Sequence, residues 1–256
     1  MNQRSTRGAY APINGLELYF ERHGQGPALV LLHGGLLNIA ANFSQLLPPL
    51  TENHEVIAIE LQGHGRTADS GRAMSLECFA DDVAALLAYL SIEKADVFGF
   101  SLGAMVALTL ALSHPGVVNK LVLASVDHSP NHDQFVRPED PAIMARLPTE
   151  ADFARLRTSY AEIAPRPGDF DVLAERTTAM VHSLKGWSEE ELASITAPTL
   201  VLVGDTDMVP LHHAVAMFEA LANAQLAVLP GTTHMEMTKN ADRVLALVRP
   251  FLEATP

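Results

Sequence analysis

Serine, histidine and aspartate fall in this chain at positions from which they could work as one hydrolytic centre. Ser101 lies within Gly99-Phe100-Ser101-Leu102-Gly103, between an apolar run, Ala95 to Phe100, and a helical pattern from Leu102 to Ser113. A serine on so sharp a strand-to-helix turn presents its hydroxyl above a sheet, and small flanking residues let the backbone turn tightly. The N-terminal amides of the helix then face any negative charge that develops beside that hydroxyl. A serine hydroxyl is a weak nucleophile until an imidazole takes its proton. The imidazole in turn requires an acceptor that holds its tautomer and stabilises its charged form. Downstream, the run Leu200 to Val203 ends in Gly204-Asp205-Thr206-Asp207, and the run Leu226 to Leu229 ends in Pro230-Gly231-Thr232-Thr233-His234. Both loops leave the carboxyl ends of predicted strands, where open α/β sheets place their sites.

The elements that must position these groups follow from hydrophobic patterning. Leu16 to Phe20 alternates in polarity, as an early strand does, whereas Ala28 to Leu32 is an unbroken apolar run ending in His33-Gly34-Gly35. Val56 to Ile59, Ala95 to Phe100, Leu121 to Ala124, Leu200 to Val203 and Leu226 to Leu229 repeat the unbroken pattern, which suits strands covered on both faces. Helical patterns over Leu76 to Leu90, Leu102 to Ser113, Leu211 to Ala222 and Ala241 to Ala254 alternate with them. This alternation predicts an α/β fold, a mostly parallel central sheet flanked by helices. It fails between Asp127 and Ile195. There, Thr149 can cap a helix from Glu150 to Ile163 that Pro165 and Pro167 stop, a second helix covers Phe170 to Leu184, and Ser188 with Glu189 to Glu191 starts a third. The expected organisation is a core of residues 1–126 and 196–256 with an inserted helical cap over 127–195.

The order serine, acid, histidine, on these three loops, resembles that of the α/β-hydrolase superfamily, and the resemblance covers nearly the whole chain, the cap least. It implies the α/β-hydrolase fold and a triad of Ser101, His234 and Asp207, because the second acid of a Gly-Asp-x-Asp turn usually serves that family, with Asp205 its structural neighbour. Asp127, after the strand Leu121 to Ala124, is a third candidate, since some members place the acid there. His33-Gly34-Gly35 resembles the family's His-Gly-x turn, which implies an oxyanion hole made by the amides of Gly35 and Leu102, with Leu36 the fallback donor. Gly63-His64-Gly65-Arg66 resembles a glycine turn usually preceded by an aspartate; here Glu60 and Gln62 stand in that neighbourhood. Ile59 to Asp69 and Trp187-Ser188-Glu189-Glu190 are similar to a bacterial subgroup that includes esterases opening macrolide lactones, a substrate ranked behind a generic ester. A serine at the elbow sets the chain apart from haloalkane dehalogenases and epoxide hydrolases, which carry aspartate there. Cofactor-free perhydrolases, carbon-carbon bond hydrolases and amidases share the triad, and a ligand receptor without turnover is the alternative of a different class.

Other residues bound the reading. Leu36, Phe100, His128, Met208 and Met235 are candidate substrate-binding residues, the methionines because they flank the proposed acid and histidine and adapt in shape. His128, His132 and Asp133 lie close together, but no second ligand cluster accompanies them, so no metal and no other cofactor is expected. In 256 residues there are 30 acidic and 17 basic side chains, a net charge of −13, which argues against a nucleic-acid partner. Cys78 is the single cysteine, so no disulfide can form within one chain. Met1 to Tyr10 is polar, without the apolar stretch of a secretory signal, and no run reaches the roughly 20 apolar residues of a membrane span, so a cytoplasmic location and no membrane partner are expected. The expected partner is a small-molecule ester or lactone, and the oligomeric state is open.

Overall fold

The computed structural model describes residues 8–126 and 144–254. A sheet of eight strands runs in the order β1-β2-β4-β3-β5-β6-β7-β8. Its strands are β1 (Ala9–Ile13), β2 (Leu16–Gly24), β3 (Ala28–Leu32), β4 (Glu55–Ile59), β5 (Ala95–Phe100), β6 (Val118–Ala124), β7 (Thr199–Gly204) and β8 (Ala224–Leu229). β2 is antiparallel to both β1 and β4, and every pairing from β4 to β8 is parallel.

In β3 to β7 the unbroken apolar runs are explained by two buried faces; β8 departs from the expectation, since it pairs on one side only and leaves Val228 exposed. Val30, Leu32, Ile57, Ile59, Val97, Leu121, Leu123, Val201 and Val203 point to one side, into a cluster with α3 (Leu76–Tyr89), α4 (Leu102–Ser113) and α8 (Leu211–Ala220). The alternate residues Leu29, Leu31, Val56, Ala58, Phe98, Val122, Leu200 and Leu202 meet α1 (Ile39–Phe43), α2 (Leu47–Leu50) and α9 (Ala241–Glu253) on the other. α4 is buried from Leu102 to Ala111. A helix apolar all round belongs in a core, and this one fixes the position of its own N-terminus, the elbow.

The stretch expected to form a cap contributes α5 (Glu150–Ile163), α6 (Phe170–His182) and α7 (Glu189–Ala193). Thr149 and Ser188 both form capping boxes, each side chain accepting from the amide three residues on. Leu156, Tyr160, Ala164, Phe170 and Leu173 form a small cluster of their own between α5 and α6. Leu192 of α7 and the following Ile195 are instead buried in the cluster that holds α3 and α4. Among the described residues, no helix is long and apolar enough to cross a membrane.

Candidate active site

The carboxyl ends of β5 to β8 form a ladder that carries the chemically able residues in spatial order. The Ser101 amide donates to Ala124 O at 2.8 Å, the Ser125 amide to Leu202 O at 2.8 Å, and the Asp205 amide to Leu229 O at 3.1 Å. Each strand thus ends beside its neighbour, and the loops that follow open on one edge of the sheet.

At the first step Ser101 has φ +52° and ψ −118°, a conformation that residues other than glycine rarely adopt. A Cβ added to Gly99 would lie 2.2 Å from Gly103 O, and one added to Gly103 would lie 2.0 Å from Leu32 O. Both positions therefore need glycine for close backbone approach, as the sequence suggests, and the strained turn lifts the Ser101 side chain out of the sheet.

The Ser101 hydroxyl donates to His234 Nε2 at 3.0 Å, and His234 Nδ1 donates to Asp207 Oδ1 at 2.9 Å. Asp207 is fully buried and also accepts from the Ser125 hydroxyl at 2.6 Å and the Val209 amide at 3.0 Å. Burial pushes its carboxyl up, but the His234 imidazole, hydrogen bonds from His234 and Ser125, and the Val209 amide outweigh burial and hold it below the usual carboxylate range. Asp205 points elsewhere. It accepts from the Gly231 and Thr232 amides at 2.6 and 3.4 Å, tying the acid loop to the histidine loop. Phe100 packs its ring against the imidazole, with centroids 4.9 Å apart. Asp127, His128, His132 and Asp133 lie outside the described residues.

Gly35 sits against the elbow: a Cβ added there would lie 3.8 Å from Leu102 Cδ2 and 3.5 Å from Thr177 Cγ2. The turn is held from behind by buried polar side chains. His33 donates from Nδ1 to Gly34 O at 2.8 Å and accepts from the Leu61 amide at Nε2, 3.1 Å away. Burial and the neighbouring His64 push His33 down to about 3, so it is a neutral structural bridge at ordinary pH. Asn42 accepts from the Gly34 amide at 2.8 Å and donates to Thr238 at 2.9 Å, linking the turn to the segment after His234.

In the glycine turn, the carboxylate of Glu60 accepts from the Arg66 amide and, at 2.9 Å, from the Arg66 guanidinium. It also reaches the Ile39 amide at the start of α1. A Cβ at Gly65, where φ is +52°, would run into that carboxylate. The longer glutamate thus fills the space of the turn itself. Burial, opposed by Arg66, raises it to about 6.

The cap closes over the serine. Arg176 of α6 binds the Asp69 carboxylate and Arg72 O, and Arg166 donates to Asp69 O at 2.8 Å, so the cap is anchored to the loop after the glycine turn. Beneath it lies a cavity of about 340 Å³ lined by Gly35, Leu36, Phe100, Ser101, Leu102, Met208, His234 and Met235 from the core. Leu147, Phe153, Leu156, Thr177 and Val181 line it from the cap side. Among the described residues the lining holds no Lys, Arg, Asp or Glu. Of the described candidate site residues, Gly35, Leu36, Phe100, Ser101, Leu102, Met208, His234 and Met235 line this cavity, while Asp207 lies buried behind His234. Sequence reading passed over Ser125 and Asn42, which bond to Asp207 and Thr238 far along the chain, and Thr177, which stands against Gly35; Ser125 alone carried a signal, as the first polar residue after an apolar run that leads to the same edge.

The model of the alpha/beta hydrolase family matches residues 29–247. The chain belongs to this family. This alpha/beta hydrolase is 29% identical to a non-heme haloperoxidase of Rhodococcus erythropolis, over 94% of this chain and 97% of the relative. It is 28% identical to a pimeloyl-[acyl-carrier protein] methyl ester esterase of Aeromonas hydrophila, over 91% and 98%. A solved structure of a meta-cleavage product hydrolase from Pseudomonas fluorescens IP01 superposes with a TM-score of 0.79 at 23% identity, covering 96% of this chain and 97% of the other. That likeness concerns the eight-stranded, mostly parallel sheet and its flanking helices.

Proposed function

We propose that this alpha/beta hydrolase is a serine hydrolase that cleaves a neutral carboxylic ester or lactone through an acyl-enzyme. The carrying observation is the continuous hydrogen-bonded chain from buried Asp207 through His234 to Ser101 at the floor of an uncharged cavity. His234 Nε2 takes the hydroxyl proton as Ser101 Oγ attacks the carbonyl carbon. The developing oxyanion rests on the amides of Gly35 and Leu102, each such donor contributing about 3 kcal/mol. The imidazolium protonates the leaving alcohol, and the acyl group stays on Ser101. Water enters, loses its proton to His234, and releases the acid, while Asp207 holds the imidazole throughout.

The cavity favours a small acyl group. At about 340 Å³ it lies near the lower end of the 300–1,000 Å³ common for small-molecule sites. A macrolide ring would require the cap to move, which ranks it behind a compact ester. The esterase relative supports ester chemistry. The haloperoxidase relative favours a second reading, in which hydrogen peroxide takes the place of water on the acyl-enzyme and yields a peracid. A fluorophosphonate probe and a nitrophenyl-ester assay test the first reading: rapid labelling at Ser101 with multiple turnovers is expected, and both should vanish in Ser101→Ala with the fold intact. Labelling followed by a single turnover would indicate a receptor, and wild-type turnover in Ser101→Ala would discard the nucleophile. Peracid formed from acetate and hydrogen peroxide, and lost in Ser101→Ala, would favour the second reading.

A further inference from the structure

The ladder at the site edge has four steps, and the chemistry above uses three of them. Ser101 ends β5, the acid loop ends β7 and the histidine loop ends β8; the step between, after β6, is Ser125. Ser125 has φ +55°, a left-handed conformation shared with Ser101, the residue one strand away. A serine gains nothing in the backbone from such a conformation. What the conformation does is turn the Ser125 side chain along the site edge to Asp207 Oδ2, at 2.6 Å, while the amide donates to Leu202 O. The residue is 2% exposed and lines the cavity.

We propose that Ser125 is a positioning residue of the hydrolytic centre, acting through Asp207. This rests on the triad reading above. A carboxylate has several acceptor sites, and a buried one left free to rotate about its Cβ–Cγ bond can offer the imidazole either oxygen or neither well. Here one oxygen is occupied by Ser125 and the other by His234 and the Val209 amide. Three donors converge, so Asp207 is an acceptor only, and His234 must present Nδ1–H to it. That tautomer leaves Nε2 bare to receive the proton of Ser101. The Ser125 bond also spreads the carboxylate charge away from the imidazole. The groups facing the carboxylate are His234 and Ser125 with the Val209 amide; Asp205 on the same loop is turned to the Gly231 and Thr232 amides.

Ser125→Ala and Ser125→Gly test the proposal in the full-length chain with a nitrophenyl ester. Alanine removes only the hydroxyl, and glycine removes it while relaxing the left-handed backbone, so a folded variant is expected from at least one. Both should lose kcat by about tenfold or more at unchanged KM, the scale of one hydrogen bond to a charged group. The acid limb of kcat/KM should move to higher pH, because the undiluted carboxylate charge favours the imidazolium; a purely structural serine would not move it. Folded variants with kcat within twofold of wild type, or with the loss confined to KM, would overturn the proposal. Should Ser101→Ala keep activity, the triad reading fails; should Ser101→Ala abolish it while the Ser125 variants stay unaffected, only the role of Ser125 fails.

Discussion

Acidification should weaken this fold through two buried histidines beside the Gly34-Gly35 turn, His33 and His64. His33 and His64 are both fully buried, with ring centroids 5.0 Å apart. Burial and His64 bring His33 down to about 3, and burial brings His64 down to about 4. Unfolded histidine titrates near about 6.5. Between pH 7 and pH 5 the unfolded chain therefore takes up protons that the native chain refuses, and stability falls as pH falls. Each histidine then costs about 2 kcal/mol over that interval, or about 4 together. Glu60 acts in the opposite sense: its carboxyl is raised to about 6, so the native state binds the proton more tightly and gains about 1 kcal/mol over the same interval. The net contribution of these three groups is a loss of about 3 kcal/mol. Urea unfolding followed by circular dichroism at pH 7 and pH 5 measures it, and His64→Asn isolates one share. Asparagine keeps a donor for Gln62 O, which His64 Nδ1 now contacts at 3.0 Å, and removes Nε2, which has no partner. The variant should lose about 2 kcal/mol less than wild type between the two pH values. An equal loss in both proteins would refute the assignment of acid sensitivity to this buried pair.

Substitutions on the two acids should separate them. Asp207→Asn is expected to reduce kcat by about 10⁴, by analogy with the acid of a serine protease triad, because an amide can offer the imidazole the wrong hydrogen-bonding partner. Asp205→Asn keeps an acceptor for the Gly231 amide and should cost less than about tenfold in ester turnover; the reverse order would move the acid. Gly103→Ala forces a Cβ to within 2.0 Å of Leu32 O and 2.5 Å of Leu32 C, both backbone atoms that cannot swing aside. Thermal or urea unfolding should show a loss of about 3 kcal/mol or more, and a variant as stable as wild type would mean that β3 and α4 approach less closely.

What the sequence discloses depends on how local its cause is. The strands β3 to β7 are legible because burial on both faces leaves unbroken apolar runs, and the elbow is legible because a steric need for glycine is written in the glycines themselves. Cap helices α5 and α7 announce their starts at Thr149 and Ser188, where the capping interaction spans three residues. β1 is not announced: it pairs on one side only, and Tyr10 is half exposed, so its five residues carry no run of core character. α1 and α2 are single turns, too short for a helical period, and α2 contains Pro48 and Pro49.

Within the site the dividing line is between which residues are able and which are aimed. Asp205 and Asp207 stand two apart on one loop and are chemically identical, so nothing in the residues themselves decides between them. The difference is one of direction, settled by a bond to the Gly231 amide in one case and to the His234 ring in the other. Asn42 shows the same limit more sharply. Its reach to Gly34 is local, but its other bond, to Thr238, crosses 196 positions of chain, and no periodicity encodes such a pairing. Glu60 lies between these cases: its presence where an aspartate is usual flags an altered turn, yet only the packing shows the longer carboxylate occupying the place of a Gly65 side chain. The cap carries this furthest. Thr177 is one helical turn from Leu173 and shares its buried face, and the spacing marks both as inward. Whether inward means a cap core, as for Leu173, or the wall against Gly35, as for Thr177, depends on how α6 is anchored through Arg176 to Asp69, a contact between elements that share no local pattern.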